Sequence, residues 1–202
     1  MIRIIFMFLY FFLHLSKEAN CQIIQPLGFY SSRKIEFVTD KFQKNVDDKH
    51  YFYEYNSSEL ILCYYPLQEG LNCGYFTVNG ETIYIDSTFD KNNSCDFDYG
   101  SFKLFKIIDG KNNIYILNTI VNGSGNATRK MFHNCFIINE NKFLKFVPLW
   151  GVYSNEECFG DFNNDGKLDF LEIRYNEFDP FYKLSLYTMN EDFVFIRDEN
   201  FK

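Results

Sequence analysis

The residues best suited to chemistry form an acidic loop in the last third of the 202-residue chain. Residues 160–170 read GDFNNDGKLDF, with oxygen-bearing side chains at positions 1, 3, 5 and 9: Asp161, Asn163, Asp165 and Asp169. Calcium takes about six to eight oxygen ligands, and alternating acidic residues in a tight loop turn their oxygens inward together. Gly166 permits a sharp reversal that lets the backbone carbonyl of Lys167 join them. The loop therefore predicts a calcium site made of these five residues.

Two alternatives stay open for this loop. Asn164-Asp165-Gly166 is also a good turn sequence without any metal. Glu172 stands at position 12, where an EF-hand supplies a bidentate carboxylate. An EF-hand needs a helix on each side, but residues 143–153 contain Pro148 and Gly151 and are typical of strand and turn. The sequence favours a loop between strands, with Glu172 either a supplementary ligand or an outward-facing strand residue.

The segment from Phe159 to Leu171, FGDFNNDGKLDFL, resembles the FG-GAP or VCBS-type repeat of secreted and cell-surface β proteins. In that family the acidic loop binds calcium between two strands. The resemblance implies calcium as cofactor and the ligands Asp161, Asn163, Asp165, Asp169 and the backbone of Lys167. It covers about residues 159–197, and no second loop of this kind occurs in residues 22–150.

The elements that must position this loop are strands. The chain has 25 Phe and 15 Tyr, and short aromatic and β-branched runs recur between Asn, Asp and Gly clusters. The predicted strands are Lys34–Val38, Tyr51–Tyr55, Leu60–Tyr65, Gly74–Val78, Thr82–Ile85, Phe102–Ile108, Ile114–Ile120, Cys135–Ile138, Phe143–Val147, Phe170–Tyr175, Lys183–Thr188 and Phe193–Arg197. Asn79-Gly80 and Asp109-Gly110 predict hairpin turns.

These strands predict a mainly β, antiparallel fold that is sandwich-like or incomplete propeller-like. A full propeller has at least about sixteen strands, four in each of four blades, which exceeds the number predicted here. Residues 22–202 are long enough for one domain with a sizeable core, and we expect a single all-β domain there.

The N-terminus is typical of an export signal. Ile4–Leu13 is an unbroken apolar run, within the roughly 7–15 residues of a secretory signal and short of the roughly 20 of a membrane span. Ala19-Asn20-Cys21 follows, with small residues at a cleavage site. The sequence therefore predicts a signal peptide over residues 1–21 and no membrane span in the mature chain.

The alternative for the N-terminus is a lipid anchor through Cys21. The sequence favours cleavage, because Glu18 stands where lipidation normally requires an apolar residue. We expect a protein that is secreted, periplasmic or part of the cell envelope.

Five cysteines remain after residue 21: Cys63, Cys73, Cys95, Cys135 and Cys158. Their spacing lacks the paired C-x-x-C of a zinc site. In an oxidising compartment two disulfides and one thiol are expected, and a bridge from Cys63 to Cys73 is the first candidate. The other pairings stay open, as does the alternative of buried, reduced thiols.

Charge and motif content exclude several functions. The net charge of -7 argues against broad binding to nucleic-acid backbones. His50 and His133 stand beside no nucleophile motif, so no catalytic triad is recognisable. Acid pairs such as Asp96/Asp98 and Glu156-Glu157 leave glycoside hydrolysis open, and the aromatic run Tyr51–Tyr55 would suit either sugar stacking or core packing.

The sequence thus predicts an exported calcium-binding β protein that is a non-enzymatic binding, adhesion or structural module. An unknown protein or glycan would be its ligand. The alternative is a secreted hydrolase or carbohydrate-active protein that uses acidic residues.

Overall fold

The computed structural model describes residues 35–47, 50–66, 74–85, 97–121, 131–151, 158–175 and 182–201. The predicted signal peptide with Cys21 lies outside these residues. Cys73, Cys95, Asp96 and the Glu156-Glu157 pair lie outside them as well.

The described residues form strands: β1 (Ile35–Thr39), β2 (Gln43–Val46), β3 (Tyr51–Asn56), β4 (Ile61–Tyr65), β5 (Tyr75–Val78), β6 (Glu81–Tyr84), β7 (Phe97–Asp109), β8 (Asn112–Val121), β9 (Met131–Asn139), β10 (Lys142–Gly151), β11 (Phe159–Gly160), β12 (Asp169–Tyr175), β13 (Tyr182–Met189) and β14 (Phe195–Arg197). Every predicted strand is present. The sequence missed β2, which is short and polar, and β11, which has only two residues. The mainly β prediction is confirmed.

The strands form three antiparallel sheets, none of them closed. We call β2-β3-β4-β5-β6 the N-terminal sheet, β1-β7-β8-β9-β10 the middle sheet and β11-β12-β13-β14 the C-terminal sheet. Within each sheet, neighbours in sequence are neighbours in space. The exception is β1, which precedes the N-terminal sheet in the chain but pairs with β7.

Tight turns join several of these strands. Asn79 and Gly80, with φ of 48° and 88°, connect β5 to β6, and Gly110, with φ of 61°, connects β7 to β8. Both turns were predicted from their Asn-Gly and Asp-Gly dipeptides. Glu140 and Asn141 make a similar turn between β9 and β10, with φ of 47° and 65°. This turn was not predicted from the sequence.

The middle sheet lies between the other two sheets. On β8, Tyr115 and Leu117 pack into a core shared with the N-terminal sheet, whereas Ile114 and Ile116 pack into a second core shared with the C-terminal sheet. Both faces of the strand are covered, so residues 114–119 and 132–138 are buried without interruption. The result is a sandwich of three layers.

The rim between the N-terminal and middle sheets is held by polar contacts. Glu59 Oε2 accepts hydrogen bonds from Lys106 Nζ at 2.5 Å and from the Tyr115 hydroxyl at 2.7 Å. Asn79 Nδ2 donates to the Asn141 carbonyl at 2.8 Å, which ties one hairpin turn to another.

No disulfide joins cysteines within the described residues, and Cys63 and Cys135 are buried free thiols. The predicted bridge from Cys63 to Cys73 is therefore wrong in this structure. Cys63 lies opposite Thr77 in the N-terminal sheet, and burial raises the pKa of its thiol. Burial likewise raises the pKa of the Cys135 thiol, as expected of a side chain that behaves as a small apolar group.

Candidate metal centre

The acidic loop lies between β11 and β12, where Phe159 pairs with Phe170 and Gly160 pairs with Asp169. Strands flank the loop on both sides, so the EF-hand alternative is wrong. Leu168 is buried in the core between the middle and C-terminal sheets. Its apolar side chain anchors the end of the loop.

Asp161 organises the turn of the loop. Its carboxylate is buried and accepts hydrogen bonds from the backbone N–H groups of Asp165, at 3.0 Å, and Gly166, at 2.9 Å. The chain curls around this carboxylate because Asn164 and Gly166 adopt left-handed conformations, with φ of 61° and 79°. Only glycine, and to a lesser degree Asn, takes this conformation at low cost. The reversal predicted at Gly166 is confirmed.

Asp169 closes the base of the loop. One carboxylate oxygen accepts from the Phe162 N–H at 2.7 Å and the Asn163 N–H at 3.3 Å, and the other accepts from the Thr188 hydroxyl at 2.6 Å. Burial raises the pKa of Asp169, a shift that these hydrogen bonds partly oppose and that the nearby Asp165 increases. The raised pKa means that the ionised form of this carboxylate is disfavoured by its surroundings, and a nearby cation would stabilise it.

Asn163, Asp165 and Lys167 lie on the exposed side of the loop. Asn163 Oδ1 accepts from the Asp165 N–H at 3.0 Å, and Asp165 Oδ1 accepts from the Lys167 N–H at 2.9 Å. Every side chain that was predicted to bind calcium therefore has an oxygen engaged with the loop backbone.

The donor set of the loop suits a hard cation. Asp161 and Asp169 are 6% and 0% exposed, and no basic side chain in the described ranges forms an ion pair with either. Each Asp161 oxygen has a lone pair beyond the one that an N–H group uses, and so does the Asp169 oxygen that accepts from the Thr188 hydroxyl. Buried anions without a counter-charge are costly, and a cation would relieve that cost.

The arrangement itself is that of a hydrogen-bonded turn. Across the part of the chain that the structure describes, no three His, Cys, Asp or Glu side chains converge in a metal-binding group. Calcium coordination would have to use the Asn163 amide oxygen and the Lys167 carbonyl as well as the carboxylates.

Glu172 belongs to a different cluster. It is buried on the face of β12 that also carries Phe170, so it is not the outward-facing residue that one alternative predicted. Its carboxylate pairs with Arg174 at 2.6 Å and accepts from the Tyr187 hydroxyl at 3.1 Å. Arg174 in turn lies over the Trp150 ring, 4.2 Å from its centroid. This carboxylate is committed to a structural ion pair rather than to the loop.

Thr188 is the loop contact that sequence reasoning missed. Besides its bond to Asp169, it accepts from Asn163 Nδ2 at 3.2 Å. Thr188 reaches the loop because it lies directly opposite Asp169 in the β12–β13 ladder. Only the register of that hairpin could have indicated from the sequence that Thr188 contacts Asp169.

The aromatic run Tyr51–Tyr55 divides between the two faces of the N-terminal sheet. Tyr53 is buried in the core. Phe52 joins a row across the outer face with Tyr65, Tyr75 and Tyr84, with ring centroids 4.9, 4.5 and 5.8 Å apart. The first two contacts are near-parallel stacks, so ring faces are covered by neighbouring rings. Both packing and an aromatic surface are therefore present.

Comparison of the chain with family models, with curated proteins and with solved structures finds no match to any of them. The resemblance to FG-GAP and VCBS-type repeats stays a prediction that rests on the residues of the loop. A search of the described residues for a helix able to span a bilayer finds none.

Proposed function

We propose that the chain is an exported calcium-binding β protein that acts as a non-enzymatic binding, adhesion or structural module of the envelope or exterior. The observation that carries the calcium proposal is the loop between β11 and β12. Two buried carboxylates, Asp161 and Asp169, lie at this loop with no basic partner among the described residues.

In this proposal the ligands are the side chains of Asp161, Asn163, Asp165 and Asp169 and the backbone carbonyl of Lys167. Calcium, when bound, supplies positive charge that offsets the carboxylates and joins the two ends of the loop. Asp169 lies in the β12–β13 ladder and Leu168 in the core, so order in the loop is passed directly to the C-terminal sheet. Glu172 is left out because Arg174 and Tyr187 occupy its carboxylate.

Export is supported by the apolar run Ile4–Leu13 and the small residues before Gln22. The loop resemblance points the same way, since such repeats occur in secreted and cell-surface proteins. A protein or glycan ligand is the partner class that this setting implies.

A thermal melt of the full chain, first in EDTA and then in saturating calcium, tests the proposal. A ligand that binds only the folded state adds about 2.7 kcal/mol at a concentration of about 100 times Kd. Calcium sites of extracellular modules have Kd of about 10⁻⁴–10⁻³ M, so millimolar calcium is needed. We expect Tm to rise in calcium.

The variant Asp165→Ala removes a central ligand but leaves the buried base of the loop, and we expect it to lose the calcium shift. Asp192→Ala is the matched control, because Asp192 is an exposed acid in another turn of the same sheet. Calorimetric titration measures the affinity directly. An unchanged wild-type Tm, or wild-type affinity in Asp165→Ala, would show that the loop is only a turn.

A further inference from the structure

A buried histidine lies at the junction between the middle and C-terminal sheets. His133 on β9 is 0% exposed and faces the C-terminal sheet. Its ring is set edge-on between Phe159 and Phe170, with centroids 5.1 and 5.2 Å away. These two phenylalanines pair with each other across β11 and β12. The histidine thus packs directly under the first residue pair of the C-terminal sheet.

One nitrogen of this ring has a partner and the other has none. His133 Nδ1 lies 2.7 Å from Asn118 Oδ1 on the neighbouring strand. An amide oxygen only accepts, so Nδ1 carries the proton in the neutral ring. Nε2 is buried and makes no hydrogen bond with any described residue. A proton added there would become a charged donor among apolar rings.

The charged and titratable groups around the junction would do little to stabilise a positive charge on His133. On the middle sheet they are Lys103, Cys135 and Lys145. On the C-terminal side they are Cys158, Glu172, Arg174 and Tyr187, with the loop carboxylates Asp161 and Asp169 close in the chain to Phe159 and Phe170. Lys103, opposite Asn118 in the ladder, is exposed and carries the same charge as an imidazolium. Of the carboxylates, Glu172 is already paired with Arg174, and those of Asp161 and Asp169 accept hydrogen bonds from the loop backbone. On β10 the residue opposite His133 is the apolar Leu149.

We propose that the His133–Asn118 pair is a pH-sensitive junction, at which protonation of His133 releases the C-terminal sheet while the other two sheets stay packed together. The C-terminal sheet is the layer that can leave, because its core contacts are with the middle sheet alone. It is also a small sheet, whose outer strands have two and three residues. Regions of this kind open locally before the rest of a protein unfolds.

The direction and window of the effect follow from linkage. Burial lowers the pKa of His133 from its ordinary 6.5 to about 3. Between these two values the released state binds a proton at His133 and the docked state does not. Docking is therefore favoured above pH 6.5 and weakened as the pH falls from 6.5 toward 3. Each pH unit within that window changes the docking equilibrium up to about tenfold.

Hydrogen exchange of the full chain between pH 7 and pH 4.5 tests the proposal, with protection expressed relative to the unfolded chain at the same pH. We expect peptides from β12 and β13 to lose up to about 100-fold in protection, because two pH units below the histidine pKa are crossed. Peptides from β3 and β4 should retain theirs over the same range. Equal loss in both sets would overturn the proposal, since it would show global unfolding.

Two variants and a control separate this mechanism from a general effect of acid. His133→Gln keeps an amide beside Asn118 but cannot titrate, and should hold its β12–β13 protection to pH 4.5. Asn118→Asp gives the imidazolium a carboxylate partner, and should move the loss to lower pH even if His133→Gln folds poorly. His50→Gln alters an exposed histidine and should behave as wild type. A wild-type pH dependence in both junction variants would exclude the proposal.

Discussion

Each face of the middle sheet buries one polar side-chain pair between β8 and β9, but the two pairs differ in their residues. Facing the N-terminal sheet, the buried Asn134 amide donates to the Thr119 hydroxyl at 3.2 Å. Facing the C-terminal sheet one residue earlier on each strand, His133 bonds to Asn118 at 2.7 Å. Both are buried cross-strand polar pairs, yet only the second contains a group whose proton affinity changes on burial, so that acid between pH 6.5 and 3 opposes it. A single side chain thus makes one interface responsive to acid and leaves the other indifferent.

The rims of the two interfaces also differ. At the interface with the N-terminal sheet, Glu59 contacts Lys106 and Tyr115, and its side chain is 42% exposed. Glu172 seals the second with Arg174, at a site where its side chain is 5% exposed. A half-exposed carboxylate can be solvated by water when its partner is lost, whereas a buried one cannot. Loss of the partner should therefore matter more at the C-terminal sheet.

The largest expected effect comes from adjacent core residues on β9. Phe136 packs against the N-terminal sheet and Ile137 against the C-terminal sheet, and both are 0% exposed. Phe136→Ala should lower the free energy of unfolding by about 3–5 kcal/mol and Ile137→Ala by about 2–5 kcal/mol, as measured by urea denaturation. In a two-layer sandwich one of two adjacent strand residues would be exposed. A cost below about 1 kcal/mol for either would contradict the three-layer arrangement.

An intermediate effect is expected at the rim of the C-terminal sheet. Arg174→Leu leaves the Glu172 carboxylate buried without its cation, and should lower the free energy of unfolding by about 2 kcal/mol. The double variant Glu172→Gln with Arg174→Leu removes the unpaired charge and should recover part of that loss. Chemical denaturation of the two single variants and the double variant completes the cycle. Strict additivity would mean that the two side chains are not coupled.

The smallest effect is expected at the other rim. Hydrogen bonds from Lys106 and Tyr115 lower the pKa of Glu59 below its ordinary 4.5. The contribution of the Glu59 carboxylate to the free energy of unfolding is therefore present above pH 4.5, and it is lost as the pH falls through the lowered pKa. Glu59→Gln should cost about 1 kcal/mol or less at pH 7, because the group is half-exposed.

Urea denaturation of Glu59→Gln and wild type across pH 7 to 3 checks this prediction. The difference between the two proteins should hold constant down to about pH 4.5 and then shrink, whereas the effect of His133 begins at about pH 6.5. A difference that already changed near pH 6 would mean that Glu59 is not the group responsible.

Sequence reasoning located nearly all of the strands because each carries its own signal. Ile114–Ile120 is a long β-branched run, and Asn79-Gly80 supplies the left-handed residues that a tight turn requires. It missed β2 and β11 because short polar or two-residue strands hold too little pattern. Within the loop it found Gly166, whose role depends on the local backbone conformation.

The outcome was different wherever a role depends on a distant partner. Glu172 stands at a ligand position by spacing, but Arg174 and Tyr187 determine what its carboxylate does. Thr188 contacts Asp169 only through the ladder between β12 and β13. His133 is a strand residue by sequence, and its burial becomes visible only when a second sheet covers it.

By itself, the sequence determined the β class, the hairpin turns and the oxygen-rich composition of the loop, since these depend on residues close together in the chain. The tertiary structure alone decided that the middle sheet is buried on both faces and that β1 crosses to join it. It also decided which polar groups lose contact with water. Burial is a property of neighbours that are far apart in sequence, and burial sets both the charge balance of the loop and the proton affinity of His133.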